Sequence, residues 1–296
     1  MAVASVKAKI NGTTYNLTYN SSTGAWEGQA TSPSKSSFNQ TGGYYGIEIT
    51  AYDDSGNSTT INASDSNFGD ILKLYVKEKT APTITVSSPT NNAVLTNNKP
   101  TFSWKVADAD SGVKAASIKL YIDGTEVAGK ITATKSGTTY TCSYVPTSAL
   151  KDGSHTIKYA VTDNDGNSKT ASITIKIDTV APSLTVSTPE NNAKVNTTPI
   201  TVSGYTNDLT SSPVTVKVNG TSVTVDSNGY FTTTVALSSG DNKITIVATD
   251  GAGKSTTVTR TVNFNNNPPV FQSVSIEPNP VDAGATFKIS VKVTDS

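Results

Sequence analysis

The stretch Asp163-Asn164-Asp165-Gly166-Asn167-Ser168-Lys169-Thr170, DNDGNSKT, decides the reading of this chain. An alternating run, TIKYAVT over 156–162, leads into it, and ASITIKI over 171–177 follows. Alternation places every second side chain on one face of a strand. Asp and Gly between two such runs mark a tight turn, so the stretch reads as the closed end of a β-hairpin. The same string, D-x-x-G-[NK]-S-x-T, recurs as DDSGNSTT from Asp53 and as DGAGKSTT from Asp250. These copies follow GIEITAY and KITIVAT. Asp53, Asp163 and Asp250 lie 110 and then 87 residues apart, one small β domain per copy.

A second repeat marks where domains begin. KTAPTITVSSPTNNAVLTNNKPTFSW starts at Lys79, and TVAPSLTVSTPENNAKVNTTPITVSG starts at Thr179. Ala81-Pro82 and Ala181-Pro182 are the linkers, with Pro holding the preceding residue extended. Asn267-Pro268-Pro269 opens a third such segment. The reading divides the chain into 1–80, 81–180, 181–266 and a C-terminal strand pair at 267–296. Within 81–180 the expected strands are 83–87, 101–107, 117–122, 139–145, 155–162 and 169–177. Short strands at this spacing, with Gly, Asp and Asn turns, predict an all-β sandwich with almost no helix.

Composition bounds the function. Hydrophobic residues make up 35% of the 296 and charged residues 16%, with 23 basic against 23 acidic groups. Thr, Ser, Asn and Gly fill the remainder, as suits strands and turns. Arg260 is the one arginine. Neither a basic surface nor arginine forks are available for nucleic acid, and no polybasic patch for a membrane. Cys142 is the one cysteine, so no intrachain disulfide forms. At the N-terminus, Lys7 and Lys9 interrupt the apolar positions, so no secretory signal is read there.

Three runs carry a family resemblance. SALKDGSHTIKYAVTDNDGNSKTASITI resembles the F–G half of bacterial immunoglobulin-like repeats, and KVADADSGVKAASIKLYIDGTEV resembles their B–C half. VTVKVNGTSVTVDSNGYFTTTVALSSGDNKITIVATDGAGKS, in 181–266, is similar to the same class. The resemblance covers 80–266 and, more weakly, 1–80. It implies tandem immunoglobulin-like (Ig-like) β-sandwich domains. Such domains occur in Gram-positive surface proteins, as accessory modules of glycan-active enzymes, and in phage tails and baseplates. With no export signal read, the expectation is a non-enzymatic virion protein of a phage of a Gram-positive host, made in the host cytoplasm. The ending VSIEPNPVDAGATFKISVKVTDS resembles endings of such proteins. Its expected partners are other virion proteins, reached through 267–296 by strand addition, and a host cell-surface glycan. A bacterial cell-surface adhesin fragment and a glycan-binding accessory module are the alternatives.

Few residues carry candidate chemistry. Asp108 and Asp110 follow the second strand of 81–180, and Asp163 and Asp165 sit in the hairpin turn. Those two loops share one pole of an Ig-like sandwich, where clustered carboxylates suit Ca²⁺. The alternative is turn chemistry, each Asp capping its own loop. The third domain keeps Asp208 and Asp250 at those places, which argues against a general metal role. His155 has no second His and no nucleophile motif beside it, so it reads as a packed strand residue. Cys142 and Trp104 read as core. Trp26 with Tyr44-Tyr45 is the one hint of sugar stacking, against core packing for Trp26.

Overall fold

The computed structural model describes residues 2–294. It falls into two compact units, Met1–Ile177 and Asp178–Ser296. The first holds β1 (Val3–Ile10), β2 (Thr13–Asn20), β3 (Ala25–Glu27), β4 (Tyr45–Asp53), β5 (Ser58–Ile61) and β6 (Lys73–Leu74), then nine more strands. Where the sequence reading expects an Ig-like sandwich in 1–80, the chain forms one six-stranded sheet, ordered β3-β2-β1-β4-β5 with β6 on β4. The physical reason lies in β2 and β3, which have no fully buried residue and so no apolar face for a second sheet. Val6, Ala8 and Ile10 of β1 are buried instead with Tyr45 and the loop residue Leu72.

The next nine strands are β7 (Thr83–Ser88), β8 (Ala93–Leu95), β9 (Phe102–Ala107), β10 (Lys119–Ile122), β11 (Thr125–Glu126), β12 (Thr132–Ser136), β13 (Thr139–Tyr144), β14 (Gly153–Thr162) and β15 (Ser168–Ile177). They make two sheets, β12-β13-β9-β7 and β11-β10-β14-β15-β8. The core lies between them. Phe102, Trp104, Val106, Cys142 and Tyr144 come from one sheet, and Leu120, Ile157, Tyr159, Val161, Ile173, Ile175 and Ile177 from the other. Trp104 packs against Tyr159 with ring centroids 5.2 Å apart and the planes tilted by 56°. The third expected strand starts later than its sequence pattern, at Lys119, behind a 3₁₀ turn at Ala115–Ser117. Strand β12 escapes the sequence reading because all five of its residues are exposed, leaving no alternation.

The second unit repeats the plan with β16 (Ser183–Thr188), β17 (Ala193–Val195), β18 (Ile200–Asn207), β19 (Thr215–Val218), β20 (Thr221–Val223), β21 (Tyr230–Val235), β22 (Gly240–Thr249) and β23 (Ser255–Phe264). Its sheets are β16-β18-β21 and β17-β23-β22-β19-β20. Val202, Phe231, Ile244, Ile246 and Val262 are fully buried between them. Arg260 donates to the carbonyls of Val186 and Pro189, both at 3.2 Å, so its charge fastens the first strand of the domain. In both sandwiches the opening strand (β7, β16) pairs antiparallel with the next long one, and the short strand after it (β8, β17) pairs parallel with the sandwich's last (β15, β23). Strands β24 (Val270–Glu277) and β25 (Lys288–Thr294) form a separate antiparallel pair. The expected strand pair at 267–296 ends on residues 295–296, which lie outside those described.

Candidate cation sites

The repeated string closes a hairpin three times, pairing Tyr52 with Ser58, Thr162 with Ser168 and Thr249 with Ser255. Its leading Asp builds the turn. Asp53 Oδ1 accepts from the amides of Ser55 (2.8 Å) and Asn57 (2.9 Å), and Oδ2 accepts from Asn57 Nδ2 at 2.8 Å. Asp163 Oδ1 accepts from Gly166 N (2.6 Å) and Asn167 N (2.8 Å), and Oδ2 from Asn167 Nδ2 at 2.8 Å. Asp250 Oδ1 accepts from Ala252 N (2.8 Å) and Lys254 N (2.9 Å). Here Lys254 stands where the other copies have Asn, and Asp250 Oδ2 is buried with no hydrogen-bond partner among the described residues.

Of the four expected ligands, the structure brings Asp108 and Asp163 together. With Glu78 they offer carboxylate oxygens within 4.8 Å of one another. Asp108 also caps its own loop, Oδ1 accepting from Gly112 N at 2.7 Å and Asp110 N at 3.1 Å. Asp110 and Asp165 do not join that group of three. Asp110 Oδ1 accepts from Ser36 N at 3.0 Å, and Asp165 Oδ2 from Glu78 N at 2.9 Å. Both carboxylates thus tie the pole of the sandwich to the segment before it. Burial pushes the Glu78 carboxyl above its ordinary range; hydrogen bonding to Ser111 opposes this, and the Asp108 carboxylate adds to it.

The second unit has the same constellation in Asp178, Asp208 and Asp250, again within 4.8 Å and all buried. Sequence reasoning found the two loop positions and missed Glu78 and Asp178. The signal was present: each stands four residues before the linker proline, Glu78 before Pro82 and Asp178 before Pro182, one hundred residues apart.

The other candidates are structural. His155 is buried, with Nδ1 2.7 Å from Asp123 Oδ2 and Nε2 2.7 Å from the Lys151 carbonyl. Cys142 is buried, and burial pushes its thiol up to about 11. Trp26 is half-buried on β3 against Tyr19, at 5.7 Å between rings, and belongs to neither sandwich core. Tyr45 is buried, and Tyr44 meets Tyr75 edge-on at 6.3 Å.

Residues 82–158 match a family described as bacterial Ig domain, and residues 182–266 match glucodextranase, domain B. Among curated proteins the chain is similar to Bacillopeptidase F of Bacillus subtilis, 33% identical over 132 residues, covering 44% of this chain and 9% of that protein. It is also similar to Chitinase ChiA of Flavobacterium johnsoniae, 28% identical over 199 residues, covering 62% and 12%. The chain therefore spans roughly a tenth of these relatives. Among solved structures, the fibronectin(III)-like modules of Clostridium thermocellum CbhA align at TM-score 0.37 and 15% identity, covering 62% of this chain and 94% of that one. An I-band fragment of titin aligns at 0.44 and 10%, covering 88% and 87%. The fold assignment itself rests on the paired sheets and their shared cores: this is a repeat protein of tandem Ig-like β-sandwich domains.

Proposed function

We propose that the chain is a non-enzymatic structural module whose tandem Ig-like domains serve as a spacer and display element within a larger assembly. The observation that supports this reading most is the reuse of one plan. Two sandwiches share strand order, turn chemistry and a Pro-marked opening, and acidic side chains build their turns and fasten the segment that leads into the first of them. The setting favoured by the sequence is a phage particle, in the tail, baseplate, neck or capsid surface. There the β24–β25 pair attaches the chain to a neighbouring virion protein. The corresponding opening pairs, β7–β9 and β16–β18, are covered in their own domains by a second sheet, so the fitting occupant is a sheet from that neighbour. Contact with a host-surface glycan through the Trp26–Tyr19 pair completes this reading.

A second reading is favoured by the relatives: the same module as an accessory part of a larger hydrolase, the kind of protein that the names Bacillopeptidase F and Chitinase ChiA denote. Mass spectrometry of purified phage particles and of the secreted protein fraction separates the two. Stoichiometric copies in particles support the virion role. Recovery only in the secreted fraction, joined to a catalytic domain, replaces it with the accessory role. Turnover of a glycan or peptide by the isolated chain, lost on a point substitution, overturns the non-enzymatic reading in either setting.

A further inference from the structure

We propose that Asp178, Asp208 and Asp250 form a binding site for a hard divalent cation, Ca²⁺, that fastens the segment leading into 181–266 to the two loops at that pole. The three residues come from separate parts of the fold: the stretch before Pro182, the end of β18 and the end of β22. All are buried, at 0%, 7% and 6% exposure. Backbone amides hold one oxygen of each. Val180 N donates to Asp178 Oδ1, Thr210 N and Ser211 N donate to Asp208 Oδ1, and Ala252 N and Lys254 N donate to Asp250 Oδ1.

What remains is the second oxygen. Asp178 Oδ2 and Asp250 Oδ2 are buried and have no hydrogen-bond partner among the described residues. Nor does any Lys, Arg or His among those residues form an ion pair with the three. Unpaired buried carboxylates are costly, and three within 5 Å repel one another as well. A cation between them relieves both costs. Carboxylate oxygens alone, with no His or thiolate, select a hard ion. Ca²⁺ takes about six to eight oxygens in irregular geometry, which leaves places for loop carbonyls and water.

Comparison of the two poles sharpens the assignment. In the first unit Asn167 Nδ2 donates to Asp163 Oδ2, so that oxygen is already served. The exchange of Asn for Lys at position 254 removes the donor, and the Lys254 side chain does not replace it with an ion pair. The third repeat has traded a self-contained turn for one that requires a cation.

Equilibrium dialysis with CaCl₂ on the chelator-stripped full chain tests this, alongside calorimetric melting in calcium and in EDTA. The expected result is bound calcium and a melting transition that moves up with millimolar CaCl₂, since an ion that binds only the folded state stabilises it by mass action. Asp178→Asn keeps the Oδ1 acceptor for Val180 and removes one charge. In EDTA it should melt no lower than the parent, while its calcium affinity falls on the order of tenfold or more, as expected when a charged ligand is lost. Glu78→Gln, in the other unit, should leave this binding in place. No binding at millimolar calcium overturns the proposal, as does parental affinity in Asp178→Asn. An equal response to MgCl₂ overturns the choice of Ca²⁺. If Asp250→Asn fails to fold, Asp178→Asn and the calcium dependence of the parent still decide.

Discussion

His155 presents both ring nitrogens to acceptors: Nδ1 lies 2.7 Å from the Asp123 carboxylate and Nε2 lies 2.7 Å from the Lys151 carbonyl. Only the imidazolium can donate at both positions. Burial acts to lower the His155 pKa, but the two hydrogen bonds and the Asp123 charge outweigh it, and the net direction is upward from 6.5.

A pH dependence follows. The folded state holds this proton more tightly than the unfolded chain, so its contribution is full below about pH 6.5 and is lost as pH rises through the higher folded value. Asp123 is half exposed, so the effect should stay below about 1 kcal/mol. Urea midpoints at pH 5.5 and 8.5 should differ more for the parent than for His155→Gln or Asp123→Asn. Equal differences in all three would remove the assigned role.

Gly204 lies in β18 where a Cβ would collide with the Thr185 carbonyl and come within 2.8 Å of Phe231 Cζ. Phe231 is fully buried, and the Thr185 backbone belongs to the paired strand β16, so neither can yield cheaply. Gly204→Ala should therefore destabilise the 181–266 domain by about 1–3 kcal/mol, the usual range for overpacking, or more because backbone is involved. A lower melting transition confined to the second unit is the expected readout. An unchanged transition would show that β16 can move aside.

Cys142 offers a probe of the 81–180 core. It is 1% exposed, and burial holds its thiol near 11, so almost no thiolate exists at neutral pH. A disulfide reagent at pH 8 should report no reactive thiol in the native protein and one per chain in denaturant. Trp104→Ala, which empties the space beside Tyr159, should cost about 3–5 kcal/mol and bring Cys142 reactivity forward to lower denaturant. Rapid labelling of the native chain would contradict the burial of this strand.

The sandwiches were legible because their core strands alternate cleanly. Ile157, Tyr159 and Val161 share one face with polar residues between them, and Phe102, Trp104 and Val106 do the same. The turn string was legible because its Asp and Gly have one job in every copy. What escaped was contact between distant segments. Whether Glu78 or Asp178 reaches the loop carboxylates depends on how the linker crosses the pole, which no local pattern encodes. Likewise, Asp110 and Asp165 look like ligands in the sequence, yet they stand apart from the Glu78, Asp108 and Asp163 group and accept instead from the amides of Ser36 and Glu78. The single sheet of 1–80 was missed because its closing string matches that of the true sandwiches.

The β24–β25 pair carries the last prediction. Val274 pairs with Val291 and Ile276 with Ile289, so these four side chains share one face of a two-stranded ribbon. They are 59%, 49%, 43% and 59% exposed, with Phe271 at 71% and Val293 at 45% beside them. A two-stranded ribbon is marginal alone in water, and an apolar face of this kind with open edges recruits another surface. The full chain should therefore bind an apolar dye such as ANS and self-associate as concentration rises. Deleting 267–296 should abolish both while leaving the two melting units unchanged. A face-directed variant, Val274→Thr with Val291→Thr, keeps the strands β-prone and should reduce dye binding without removing the segment. Dye binding and association that persist in the deletion would place the sticky surface elsewhere and leave this ribbon without a role in assembly.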